Sequence, residues 1–415
     1  MNRKQLSLIL GLVVILGGLG LWLNQRGRSS FSTGSHRMGE KVLGDFDVNA
    51  VAGMVIRQGT NLVELAKKEE QWVVLQRGGY PANFAEVSEL VRKLWGLKVV
   101  QPVEVGPSQL ARLELQSSAA AESSGTSVEL MDKEAKPIRS LLLGKKHVRA
   151  GAQPSPLGGD EGWPDGRYVM PDGKADAVSL VSESFSNVEP KPEQWLNKDF
   201  FKIEKVKSIS VTYASPTNSF SLRRETDAGD WELIDAAPTE QLDKSKASAV
   251  PSAMAWPSFT DVVVDPQPEV TGLATPTVAT LETFDGLTYT IRTGNKSGEE
   301  AVYLSMSLTA DLPKQRTPGA DEKPEDKERL DKEFEEKLGK LREKVAHEQS
   351  LGQWTYLVSK WTVDGLLKQR HDLLAGNEPV SPPGGGQDQN PTPFMDGGVM
   401  DEEPESVQPP FAPVE

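Results

Sequence analysis

The chain carries four histidines, sixty carboxylates and no cysteine, so any chemistry it performs begins from oxygen and imidazole groups. His36, His147, His347 and His371 share no spacing that would bring two imidazoles to one zinc ion. Asp45-x-Asp47-x-Asn49 opens like a calcium loop. Its sixth position is Ala50, where the sharp turn needs glycine, and its twelfth is Ile56, where the loop needs glutamate. Asp160, Glu161 and Asp165 sit in a Gly-rich stretch that offers oxygens either to a weakly held calcium ion or simply to solvent, and the solvated turn is the simpler reading. Neither a G-x-S-x-G elbow nor a phosphate-binding P-loop occurs. Gly17-Gly18-x-Gly20 lies inside an apolar run, where it cannot cradle phosphate. Sixty carboxylates make chance pairs unavoidable, so none is singled out as an acid/base couple. The missing cysteine removes disulfides, thiolate metal sites and cysteine nucleophiles together. Asn295-Lys296-Ser297 is a glycosylation sequon of a kind that chance also supplies. Trp72 and Trp231 offer aromatic faces to a ligand or to a core. No catalytic, cofactor-binding or metal residue is assigned, and no cofactor or enzymatic activity is expected.

The formal charge is −14, and residues 1–39 contain Arg3, Lys4, Arg26, Arg28 and Arg37 but no acid, so the remainder is more acidic still. Such a body repels phosphate backbones, and nucleic acid is not an expected partner.

Residues 6–23 hold no charge and twelve Leu, Ile or Val residues. As a helix they span about 27 Å, close to the hydrocarbon thickness of a bilayer. Their aliphatic side chains favour insertion by about 4–7 kcal/mol before glycines and backbone are counted. Trp22 stands at the distal end, where an indole prefers the interface. A cleaved signal peptide is the alternative. However, Asn24-Gln25-Arg26-Gly27-Arg28 is no A-x-A site, and lipoprotein processing needs a cysteine. The expected arrangement is an uncleaved single-pass signal anchor spanning residues 1–23 of the cell inner membrane, N-terminus cytoplasmic and body periplasmic. Gly17, Gly18 and Gly20 would let another helix approach, or are ordinary transmembrane glycines.

A polar, Ser/Gly/Arg-rich stretch, 24–44, reads as a linker. Residues 54–56, 62–65 and 72–75 have strand composition. Phe84, Val87, Leu90, Val91, Leu94 and Leu97 recur at helical steps behind Asn83 as cap with Glu86 three residues on. Residues 98–105 return to strand, and 126–130 with 138–143 form a hairpin ending at Gly144. The pattern then recurs. Phe46 and Met54 match Phe201 and Ile209; Trp72 matches Trp231; the helix matches 240–256, with Pro251 set to kink or end it; 97–100 matches 261–264; Leu113 matches Leu273; Gly144-Lys145-Lys146 matches Gly294-Asn295-Lys296. The fold class is therefore α+β: two tandem β-rich modules, 45–197 and 198–375, each with a packed helix, after one N-terminal transmembrane helix. A charged helical insert occupies 321–349 of the second module, with Leu330, Phe334, Leu338, Leu341 and Val345 on one face. Residues 354–358 then echo 178–181. The acidic, Pro/Gly-rich tail 376–415 has the composition of disorder.

The basic start and apolar run, Asp45-Phe46-Asp47-Val48-Asn49, Ile56-Arg57-Gln58-Gly59, Trp72-Val73-Val74, Arg77-Gly78-Gly79-Tyr80-Pro81, Leu142-Leu143-Gly144-Lys145-Lys146-His147 and Trp195-Leu196-x-Lys198-Asp199-Phe200-Phe201-Lys202 together resemble the bacterial domain-of-unknown-function family 4340. The resemblance covers most of residues 1–375. It implies an envelope protein, often encoded beside an ABC-transporter ATPase and permease and a gliding-motility auxiliary component, and it supplies no catalytic residues. The expected role is a non-enzymatic, membrane-anchored extracytoplasmic accessory subunit of an envelope ABC-type transport or assembly system. Its partners would be the lipid bilayer, through the N-terminal helix, and a membrane protein, an ABC permease or auxiliary subunit. The alternatives are an extracytoplasmic glycan-binding protein that uses an inter-module groove, and an enzyme of unrecognised type.

Overall fold

In the computed structural model, residues 37–116, 124–148, 164–295, 300–318 and 322–376 are described. The expected anchor with Trp22 and its glycines, His36, Asp160, Glu161, Lys296, Ser297 and residues 377–415 of the tail lie outside them. Among the described residues no helix is long and apolar enough to cross a membrane.

Alternating apolar and polar residues fold the first half into β1 (Gly53–Gln58), β2 (Asn61–Lys68), β3 (Gln71–Val74), β4 (Tyr80–Pro81), β5 (Gln101–Pro102), β6 (Thr126–Met131), β7 (Pro137–Val148), β8 (Pro164–Pro171) and β9 (Ser179–Val181). In β6 the alternation is strict, with Thr126, Val128 and Leu130 inward. The second half forms β10 (Val206–Thr212), β11 (Phe220–Arg223), β12 (Glu232–Leu233), β13 (Asp261–Val263), β14 (Thr277–Thr283), β15 (Leu287–Asn295), β16 (Ala301–Ala310) and β17 (Thr355–Ser359). The first sheet runs β4-β3-β2-β1-β6-β7-β8-β9-β5 and the second β12-β11-β10-β14-β15-β16-β17-β13. With β4 set aside, the two orders are the same, and both sheets are α+β units of antiparallel strands.

Ladder register fixes the equivalences. Met54 pairs with Leu65 and Leu65 with Val74, while Ile209 pairs with Leu222 and Leu222 with Leu233. Two residues before Val74 and Leu233 stand Trp72 and Trp231, both buried. One landmark shifts. A Cβ on Gly144 would meet the Leu113 carbonyl at 2.3 Å, and one on Gly294 would meet the Thr271 carbonyl at 2.1 Å. Leu113 therefore corresponds to Thr271, and it is Leu115 that corresponds to Leu273. At both sites a short helix, Pro107–Arg112 or Pro268–Thr271, lies so close on the strand that only glycine fits beneath it.

The helix Phe84–Gly96 is capped by Asn83, whose side chain accepts from the N–H groups of Ala85 and Glu86. Val87, Leu90, Val91 and Leu94 form its buried face. Phe84, by contrast, is exposed, and Leu97 lies past the last turn. The second helix is Lys244–Ser252, capped by Asp243 and stopped by Pro251 in its last turn. Three other expectations change. The stretch 98–105 yields only the two residues of β5, because its pairing is with the short β9. The hairpin does not end at Gly144; β7 continues through a register shift to Val148. The end of the presumed linker is built in: Val42 and Leu43 are buried, and the main chain pairs with Leu97 and Val99.

Among the described residues the larger of two hydrophobic clusters runs from Val42 to Leu373 and does not divide at residue 198, and a smaller one gathers Leu115, Leu142, Met170 and Val178. The charged insert forms the helix Lys327–Leu351 between β16 and β17. Leu338 is buried, and Leu341 and Val345 pack on the core. Its last turn belongs to the interior. The Glu348 carboxylate is buried, accepting from Tyr289 Oη at 2.6 Å and from the Lys202 N–H at 3.0 Å, and Leu351 is buried beside it.

Candidate functional site

Among the described residues, two of the places that gather side chains from separate elements bear on function. The first is the seam between the sheets. Arg77, in the 3-10 turn after β3, forks onto Asp261 of β13, its Nε and Nη2 donating to the two carboxylate oxygens at 2.6 and 2.7 Å. Glu193 lies 3.5 Å from the same guanidinium. That pairing holds the Arg77 guanidinium above its ordinary pKa. Gly78, with φ of 64°, then turns the chain so that Tyr80 enters an aromatic cluster. The Tyr80 ring stands 5.3 Å from Trp354, 5.8 Å from Phe259 and 6.2 Å from Tyr356. Phe200 adds to it at 4.7 Å from Tyr356. Burial pushes the Tyr80 hydroxyl up to about 12 and Tyr356 higher still. Among the described residues, these rings pack together in the seam where an inter-module groove was expected. Arg77-Gly78-Gly79-Tyr80-Pro81 and Phe200-Phe201 are thus seam-building segments.

The second is a cleft of about 820 Å³ at the far end of β7 and β8. Lys145, Lys146, Arg167, Lys191, Glu114 and Glu189 supply its charges, and Gln58 and Asn61 line another wall. Arg167 is 7% exposed. Its Nε donates to the Gly144 carbonyl at 2.7 Å, and its Nη1 to the carbonyls of Phe185 and Ser184 at 3.2 and 3.3 Å. Among the described residues no carboxylate forms an ion pair with Arg167, Lys145 or Lys146. Burial lowers the pKa of Arg167, and the Glu114 charge acts against that. Lys191 and Glu189 pair at 2.5 Å, lowering the glutamate and raising the lysine. The cleft thus sets four cations against two carboxylates, in a chain whose formal charge is −14.

The candidates from sequence fall elsewhere. His147 Nδ1 meets Asp165 at 2.7 Å, His347 pairs with Asp199 at 3.3 Å, and His371 lies 3.2 Å from Asp372. Asp47 accepts from the Asn49 N–H and Asp45 pairs with Lys41, both local uses. Among the described residues no three His, Asp or Glu groups gather to hold a metal ion. Trp72 and Trp231 sit in the core, with the Arg224 guanidinium 4.8 Å over the Trp231 ring. Sequence reasoning missed Arg167. Its one local signal is an arginine just ahead of Tyr168-Val169-Met170 in a buried strand.

A family model described as "Domain of unknown function (DUF4340)" matches residues 72–276. No curated protein and no solved structure matches the chain. The matched span begins at the first core tryptophan, includes Arg77-Gly78-Gly79-Tyr80-Pro81, Arg167 and Phe200-Phe201, and reaches the threshold of β14. That match bears out the resemblance to the DUF4340 family over residues 72–276.

Proposed function

We propose that the chain is a non-enzymatic accessory subunit of an envelope ABC-type transport or assembly system, tethered to the inner membrane by residues 6–23 with its body in the periplasm. The carrying observation is the seam. The forked Arg77–Asp261 pair and the ring cluster around Tyr80 join two like sheets into one body, which suits a part that acts by contact. The family resemblance, with its ABC-type neighbours, supplies the class of partner. Crosslinking in membranes, capture of the full chain and mass spectrometry test the reading. Peptides of an ABC permease should be enriched over a control carrying the same anchor on an unrelated body. An absence of enrichment, or robust hydrolysis of glycan, peptide or phosphate ester abolished by one carboxylate substitution, refutes it. External protease should reach the body in spheroplasts; protection until lysis would reverse the orientation.

A second reading, an extracytoplasmic ligand-binding protein, draws on the cleft. Its volume lies in the range of small-molecule sites, and convergent polar groups line it.

A further inference from the structure

The repeat supplies an internal control for the cleft, because every strand of the first sheet except β4 has a counterpart in the second. Arg167 pairs with Lys146 on one side and Val181 on the other. Its counterpart Val302 pairs with Asn295 and Val358. The neighbouring pairs agree: Tyr168 lies opposite Leu180 and Tyr303 opposite Leu357. The fold therefore accepts a fully buried valine where this sheet buries a guanidinium. Burying a charge without a carboxylate partner is unfavourable, so packing does not account for Arg167.

Two further departures converge on the same place. In the second sheet, Thr293, Gly294 and Asn295 oppose Leu304, Tyr303 and Val302 without interruption. In the first, Leu143 opposes Val169 but Lys146 opposes Arg167, so one extra residue is accommodated at Gly144-Lys145. Successive side chains of a regular strand point to opposite faces. The irregularity lets both Lys145 and Lys146 line one cleft. The residue after Leu113 is Glu114, at φ of 57°, where the other repeat has Gly272 at 72°. A glutamate in the left-handed region is held against its preference, and its side chain lines the cleft.

We propose that this cleft binds an anionic saccharide. Arg167, Lys145 and Lys146 receive its phosphate or carboxylate, and Glu114, Gln58 and Asn61 hydrogen-bond its hydroxyl groups. A guanidinium fixed at Nε and Nη1 by main-chain carbonyls is oriented in advance, which limits the entropy lost on binding. The cations alone would suit any anion. The carboxylate and amides among them select one that also carries hydroxyl groups. The inference rests on the ligand-binding reading and is independent of any permease.

Calorimetric titration of the full chain in detergent with glucose 6-phosphate, glucuronate, inorganic phosphate and glucose tests it. At least one of the two acidic sugars should bind, with glucose and inorganic phosphate each at least about tenfold weaker. R167V installs the residue of the other repeat; it should raise Kd at least about tenfold and leave Tm unchanged or higher. K145Q/K146Q, at exposed positions, should also weaken binding and decides the matter if R167V fails to fold. Unchanged affinity in K145Q/K146Q or in folded R167V overturns the proposal, as does the absence of acidic-sugar binding. Glucose binding as tightly as its phosphate overturns the anionic assignment while leaving ligand binding in place. Phosphatidylglycerol nanodiscs that weaken glucose 6-phosphate binding relative to phosphatidylcholine nanodiscs support the site and put its ligand on a lipid. The same affinity in both supports a soluble one.

Discussion

Replacing Arg77 with alanine tests whether the two sheets are energetically one body. The fork onto Asp261 has two charge-assisted hydrogen bonds, at 2.6 and 2.7 Å. Fully exposed pairs contribute about 0.2–1 kcal/mol, whereas breaking a buried pair costs about 3–5 kcal/mol. Arg77 and Asp261 retain 21% and 24% of their side-chain exposure, so solvent screens part of the interaction. Arg77→Ala should therefore cost about 2 kcal/mol. A double-mutant cycle with Asp261→Ala should yield a coupling of about 1–2 kcal/mol. Glu193, 3.5 Å from the guanidinium, stays beside Arg77 when Asp261 is replaced, so the coupling is smaller than the cost of isolating the charge. Arg77→Lys should recover little, because an ammonium cannot make the planar fork. The assay is urea unfolding of a truncated chain beginning at Gly39, which lacks the apolar run and should be soluble. Amide exchange should quicken in β4 and β13 more than in β7. A coupling below about 0.5 kcal/mol, or exchange that rises uniformly, would refute the claim that this pair locks the seam.

Trp72→Ala and Trp231→Ala should each cost about 3–5 kcal/mol in urea unfolding, from lost apolar burial plus a cavity. Glu348→Ala leaves the Tyr289 hydroxyl and the Lys202 N–H without their acceptor. It should cost about 3 kcal/mol by thermal unfolding, against less than about 1.5 kcal/mol for Glu348→Gln, which keeps an acceptor there. High pH should destabilise the chain from about pH 10 upward. Unfolded tyrosine ionises near 10, while buried Tyr80 stays neutral up to about 12. Its contribution is thus complete below about pH 10 and is lost as pH rises toward 12, at up to about 1.4 kcal/mol per pH unit. Urea midpoints at pH 9 and 11, with ultraviolet titration of tyrosine, measure it.

Legibility followed the range of the interactions. β1, β2 and β3 and the Asn83-capped helix were readable because alternation, helical spacing and capping are local. The correspondence of Trp72 with Trp231 was readable because a repeat displays the same local pattern twice. The two residues of β5 were overestimated because strand length there is set by the partner β9, distant in sequence. The passage of β7 through Gly144 was missed for a related reason: a glycine that signals a turn locally serves here as clearance for the backbone of Leu113. Arg167 and Glu348 were hidden by their charge. Glu348 continues the helical face of Leu341 and Val345, yet only the structure reveals Tyr289 and the Lys202 N–H that make its burial tolerable. Arg167 is satisfied by the carbonyls of residues 184 and 185, invisible from its own neighbourhood.

The sheet margins have a consequence for crowding on a surface. The strands with nine or more residues, β7, β15 and β16, all lie inside their sheets, while the outermost strands β4, β5, β12 and β13 have two or three residues each. Pro81 and Pro102 fall within two of those margins and donate no main-chain hydrogen bond. Among the described residues, an incoming strand from a neighbouring copy therefore finds few unpaired backbone groups on the outermost strands to extend. Many copies can stand side by side at high density without zipping into fibres, and whatever docks on this body must recognise side chains instead.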